Sequence, residues 1–103
     1  MRLDQINAKT MPDWCPRILA ISTAHLTNED RILLESRPAR YAKLAWEYEY
    51  GWFVRTGEFH ADELYGISET TRKLLLSLNE RGFYYVQFDS DAEKLEDFPT
   101  FEW

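Results

Sequence analysis

From Leu44 to Thr56 the chain alternates with period two, placing Trp46, Tyr48, Tyr50, Trp52 and Val54 on one side of an extended backbone and Glu47, Glu49, Phe53 and Arg55 on the other. Successive side chains of a strand point to opposite faces, whereas a helix repeats every 3.6 residues, so this run commits the chain to a sheet. The run is longer than the usual strand of roughly 5–6 residues. A bend or tight turn near Tyr50-Gly51 therefore divides it into a hairpin of two strands.

The flanking sequence supplies the remaining elements. Arg17-Ile18-Leu19-Ala20-Ile21-Ser22 is a short apolar run after Pro16 and reads as a strand buried on both faces, central in its sheet. Thr27-Asn28-Glu29-Asp30 pairs a hydroxyl with an acid three residues later, ahead of Ile32, Leu33 and Leu34, which opens a helix of about ten residues that ends before Pro38. Ser68 opens a second helix with an apolar stripe of Leu74, Leu75 and Leu78, and Gly82 closes it. Phe83-Tyr84-Tyr85-Val86-Gln87-Phe88 is the last strand. The order β-α-β-β-α-β specifies an α+β domain, a four-stranded and mostly antiparallel sheet with two helices on one face, as in the ferredoxin-like arrangement.

Two helices shield one face only, and aromatic residues occur on both. The face without helices must then be covered by the C-terminal residues Leu95, Phe98, Phe101 and Trp103, or by a second copy of the chain. At 103 residues there is room for one core. The chain divides into an irregular lead at 1–16, a domain at 17–88 and an acidic-aromatic tail at 89–103 docked on it. The lead has no periodic apolar pattern, and its first ten residues read as dispensable.

The net charge of −6 is concentrated in that tail, where Asp89, Asp91, Glu93, Glu96, Asp97 and Glu102 oppose only Lys94. A charge-driven partner meets the tail first, and nucleic acid is disfavoured, because phosphate binding rests on clustered cations. The lone Cys15 fits a reducing compartment, no run approaches the roughly 20 apolar residues that span a bilayer, and the first fifteen residues lack a secretory apolar segment. These features point to the cytoplasm and away from a membrane.

Ser22, Thr23 and His25 lie where the first strand meets the first helix, a place where free amides favour an anion. Ser22, His25 and Asp30 also have the residue types of a nucleophile, base and orienter for a small hydrolase. No glycine-rich elbow accompanies them, and helix capping accounts for the same residues. Asp89-Ser90-Asp91 lacks the glycine and distal glutamate of a calcium loop, and His25 and His60 do not form a ligand pair, so neither a metal nor a cofactor is expected. Gly66-Ile67-Ser68 ahead of Arg72 and Lys73 resembles the turn and recognition helix of a helix-turn-helix spanning 61–81, against which the acidic balance weighs. The row Trp46, Tyr48, Tyr50 and Trp52, together with Phe98, Phe101 and Trp103, suits a protein interface, since Tyr and Trp anchor such surfaces and the intervening Glu47 and Glu49 repel a nucleic acid.

At Ser22-Thr23-Ala24-His25-Leu26-Thr27, at Tyr48-Glu49-Tyr50-Gly51-Trp52 and over Leu95 to Trp103, closing with Phe98-Pro99-Thr100-Phe101-Glu102-Trp103, the chain resembles a family of short uncharacterised proteins. Members of that family are carried by bacterial plasmids, prophages and other mobile elements. The resemblance implies a non-enzymatic accessory or inhibitory factor that acts by binding a protein partner, for example a host defence enzyme, or by forming a homodimer. It brings no established activity.

Overall fold

A computed structural model describes residues 1–9, 17–36, 45–57 and 66–102. Its strands are β1 (Ile18–Ser22), β2 (Ala45–Tyr48), β3 (Gly51–Arg55) and β4 (Tyr85–Asp89), and its helices are α1 (Asn28–Ser36) and α2 (Glu69–Glu80). The domain is α+β, with the expected order β-α-β-β-α-β. The sheet runs β1-β4-β3-β2. Two of its pairings, β2 with β3 and β3 with β4, are antiparallel, and β1 joins β4 in parallel.

That parallel pair corrects one expectation. β1 lies at an edge of the sheet and not at its centre, and β4 occupies the inner position. The split βαβ arrangement has each helix linking parallel strands; here α2 joins β3 to its antiparallel neighbour β4, so the sheet is mixed. Ile18 and Ala20 are accordingly exposed, while Ile21 is fully buried. The apolar run that suggested a strand buried on both faces is buried on one.

Each helix begins where its capping residues place it. The Thr27 hydroxyl accepts from the Asp30 amide at 3.1 Å and Asp30 Oδ2 accepts from the Thr27 amide at 3.2 Å, a reciprocal box at the start of α1. Ser68 Oγ accepts from the Thr71 amide at the start of α2. At the other end of α2, Phe83 N–H donates to the Leu78 carbonyl and Gly82 N–H to the Asn79 carbonyl, with Gly82 at φ +90°, the left-handed Schellman closure that glycine permits.

Asp30 does more than close the first box. Its carboxylate is fully buried and also accepts from the Ser68 amide (2.7 Å), the Ser68 hydroxyl (2.7 Å) and the Thr71 hydroxyl (2.6 Å). A single anion thus sits at the positive ends of both helix dipoles and ties α1 to α2.

The core lies between the sheet and the helices. Ile21, Trp52, Val54, Val86 and Phe88 face Leu34, Leu74, Leu75 and Leu78. The lead and the tail both reach this core. Leu3, in a short 3-10 turn over Leu3–Gln5, is buried in it, so the first residues of the chain pack with the domain. Leu95 is buried beside it and Phe98 packs against it. Asp97 accepts from the amides of Leu3 and Asp4 and so clamps lead to tail. The tail therefore packs on the helix-bearing side of the domain, and not over the opposite face of the sheet. Among the described residues no helix is long and apolar enough to cross a membrane.

Candidate binding face of the sheet

The hairpin turn determines which aromatic side chains meet. Tyr48 pairs with Gly51, so the turn is the two-residue Glu49-Tyr50. Crossing it inverts the parity of the alternation: Trp46 stands opposite Phe53, and Glu47 opposite Trp52. The single row read from the sequence is therefore split between two faces. Trp52 enters the core at 6% exposure, while Trp46 and Tyr48 share the helix-free face with Phe53. Tyr50 projects from the turn. Its ring meets that of Tyr48 edge-on at 6.3 Å.

On the helix-free face, cross-strand register brings Ile18 beside Tyr85 and Trp46 beside Phe53. The rings of Trp46 and Tyr85 lie 6.2 Å apart, and those of Tyr48 and Phe53 4.8 Å apart. Ile18, Trp46, Phe53 and Tyr85 line a shallow apolar recess of about 290 Å³. Ile18 and Trp46 remain 44% and 45% exposed. Large apolar side chains gathered on an exposed face mark an interaction surface more often than single ones do.

A polar cluster borders the recess. Tyr48 donates its hydroxyl to Asp89 Oδ2 at 2.6 Å, and Gln87 Nε2 donates to the Tyr48 oxygen at 3.0 Å. Burial raises the phenol pKa above its ordinary value, and the Asp89 hydrogen bond adds to that rise. The same hydrogen bond lowers the Asp89 pKa, helped by the Asp91 amide that donates to Oδ1. Tyr48 therefore stays protonated and Asp89 ionised at neutral pH, so the rim is a fixed donor-acceptor pair with a negative end. An apolar centre with a polar rim has the anatomy of a protein interface.

The residues at the end of β1 are placed differently. Ser22 Oγ accepts from the Ala24 amide and opens a 3-10 turn over Thr23–His25. His25 turns inward and is buried, with Nδ1 2.8 Å from the Pro99 carbonyl and Nε2 2.8 Å from the Leu95 amide. An amide can only donate, so Nε2 is the acceptor, and Nδ1 carries the proton given to Pro99. Both ring nitrogens are thus engaged by the tail. Asp30 takes its hydrogen bonds from Thr27, Ser68 and Thr71, so Ser22, His25 and Asp30 are not brought into one hydrogen-bonded array. Thr23 lies beside Gly51 at the hairpin turn, in a recess it shares with Tyr50 and Ser90.

Of the tail residues singled out for binding, Phe98 packs on the core and Phe101 is half-buried, its amide donating to the Ala24 carbonyl. Trp103 lies outside the described residues, as do residues 61–65 of the 61–81 segment. In α2, Lys73 is exposed and pairs with Glu69 at 3.5 Å, while Thr71, Leu74, Leu75 and Leu78 face inward. Among the described residues no group of three or more His, Cys, Asp or Glu side chains is placed to hold a metal.

Sequence reasoning missed Ile18, Phe53, Tyr85, Gln87 and Asp89 as members of the candidate face. The hairpin carried the signal for Phe53, which a two-residue turn puts with Trp46; Ile18, Tyr85, Gln87 and Asp89 join the face through long-range pairing that local pattern does not carry. No curated protein and no solved structure matches the chain. A family model matches residues 18–103, and by it the chain belongs to a family of unknown function, DUF5983, whose C-terminal domain that model describes.

Proposed function

We propose that this domain is a non-enzymatic binding module that docks a protein partner on the helix-free face of its sheet. The observation that carries this reading is the recess of Ile18, Trp46, Phe53 and Tyr85, apolar, exposed and bordered by Tyr48, Gln87 and Asp89. Trp and Tyr side chains lose little conformational entropy on docking and bring large apolar areas, which is why they dominate interface energetics. The resemblance to proteins of bacterial mobile elements supports a cytoplasmic accessory or inhibitory role, with a host defence enzyme as the type of target.

The test separates binding from folding. Trp46 is nearly half exposed, so Trp46→Ala is expected to change unfolding free energy by less than about 1 kcal/mol, the usual range for a surface position. Loss of a central interface tryptophan weakens a complex by about 2 kcal/mol or more, roughly thirtyfold. Affinity capture from bacterial lysate with the parent chain, with Trp46→Ala and with Tyr85→Ala, followed by titration of the captured protein, measures both. Equal capture by all three chains refutes the proposal. Concentration-dependent self-association of the parent, abolished by Trp46→Ala, identifies the partner as a second copy.

A further inference from the structure

The clasp at His25 joins two parts of the chain that are far apart in sequence, and it depends on an imidazole that must stay neutral to accept at Nε2. The ring is buried between the turn that follows β1 and the tail, donating from Nδ1 to the Pro99 carbonyl and accepting at Nε2 from the Leu95 amide, both at 2.8 Å. Adding a proton to Nε2 replaces its lone pair with an N–H. The Leu95 amide then faces a donor where it had an acceptor, and a buried amide without a partner costs about 1–3 kcal/mol. Leu95 is itself buried in the core, so the segment cannot turn this amide to solvent while its side chain stays in place.

We propose that His25 makes the C-terminal segment 94–102 a strap that is closed at neutral pH and released by protonation of the imidazole. Two charged groups face the ring. Lys94 disfavours the imidazolium and Asp97 favours it. Burial is the larger influence and holds the ring below its ordinary value of 6.5, against the opposing effect of the Pro99 hydrogen bond. The sign follows from this lowering. The released strap leaves a histidine that takes up a proton below about 6.5, while the closed strap resists it, so closure is fully favoured above that pH and is lost as pH falls through the lower value of the closed form.

The other contacts of the strap titrate elsewhere. Burial alone would raise the Asp97 pKa, but the amides of Leu3, Asp4 and Asp97 itself outweigh it and the carboxylate lies below its ordinary 3.8. Its contribution is present above that value and is lost only in stronger acid. The ion pair between the N-terminal ammonium and Glu93, at 3.9 Å, involves an exposed carboxylate and is weak. Among the described side chains that contact the strap, His25 is therefore the one whose loss of closure begins just below neutrality, as pH falls from its ordinary 6.5. Release frees Phe98 and Phe101, with Glu96, Asp97 and Glu102 around them, for contact with a partner.

Amide hydrogen exchange and histidine NMR on the full chain test this. The protection factor of the Leu95 amide is expected to fall by up to about tenfold per pH unit below about 6.5, while those of β3 and β4 hold. At neutral pH the His25 ring should show the Nδ1–H tautomer. His60, outside the described residues, is the control: His60→Gln should keep the response and His25→Gln should abolish it. An Nε2–H tautomer at neutral pH overturns the proposal. So does a ring that titrates in the parent chain without loss of Leu95 protection, a reading that stands even if His25→Gln fails to fold.

Discussion

Gly51→Ala is expected to be the most destabilising single methyl that can be added to this sheet, at about 3–5 kcal/mol. Gly51 closes the hairpin opposite Tyr48 and pairs on its other side with Asp89 of β4. A β-carbon there would fall within the van der Waals envelope of the Phe88 carbonyl oxygen and press on Thr23 Cγ2. The obstacle is backbone of the neighbouring strand, which has no rotamer by which to retreat. Its φ of +156° adds strain for any residue with a side chain. Equilibrium urea unfolding of parent and variant measures the loss; a change below about 1 kcal/mol would show that β3 and β4 are not apposed as described.

Asp30→Ala is the second large effect, expected to cost about 3–5 kcal/mol, the range for breaking a buried hydrogen-bonded charge. The substitution strips acceptors from the Thr27 amide, the Ser68 amide and the hydroxyls of Ser68 and Thr71, of which the last three lie at the start of α2, far from Asp30 in sequence. Asp30→Asn separates geometry from charge. It keeps one acceptor oxygen but turns the other into a donor that faces hydroxyls and an amide, and it removes the anion from two helix N-termini, so about 1–3 kcal/mol is expected. Thermal unfolding should rank the chains parent, Asn, Ala. If the two variants unfold alike, the contribution lies in the charge and not in the individual hydrogen bonds.

The contrast between these two positions explains how far the sequence can be read. Local chemistry was legible. Thr27 with Asp30, Ser68 with Thr71 and Gly82 after Leu78 each act within a few residues, so both helices start, and α2 stops, where short-range capping places them. The hairpin was legible as well, because period-two alternation longer than one strand requires a turn. What short-range pattern cannot carry is the identity of distant partners. Asp30 reads as the acid that closes a capping box and gives no sign of Ser68 and Thr71. His25 reads as a polar residue at a junction and gives no sign of Leu95 and Pro99. The aromatic row failed for a narrower reason: its assignment to one face held only while the strand was continuous, and a two-residue turn reverses the parity beyond it. Strand order depends on the same long-range pairing, and an edge β1 whose first four residues are apolar looks like a central one until its neighbours are known.

The parallel pairing of β1 with β4 also bears on how the chain reaches its native state. The β2–β3 hairpin, and β3 with α2 and β4, connect segments close in sequence, whereas β1 meets β4 only after nearly the whole domain has been looped back. Closing a long loop costs more entropy than closing a short one and yields nothing until the ends have met, so high-separation contacts are made late and slow the overall rate. The lead and tail then settle together, with Glu96 N–H donating to the Met1 carbonyl and Asp97 holding Leu3. The chain thus condenses from its middle and seals at its two ends, and a nascent chain leaving the ribosome cannot add its first strand to the sheet until its last strand has been synthesised.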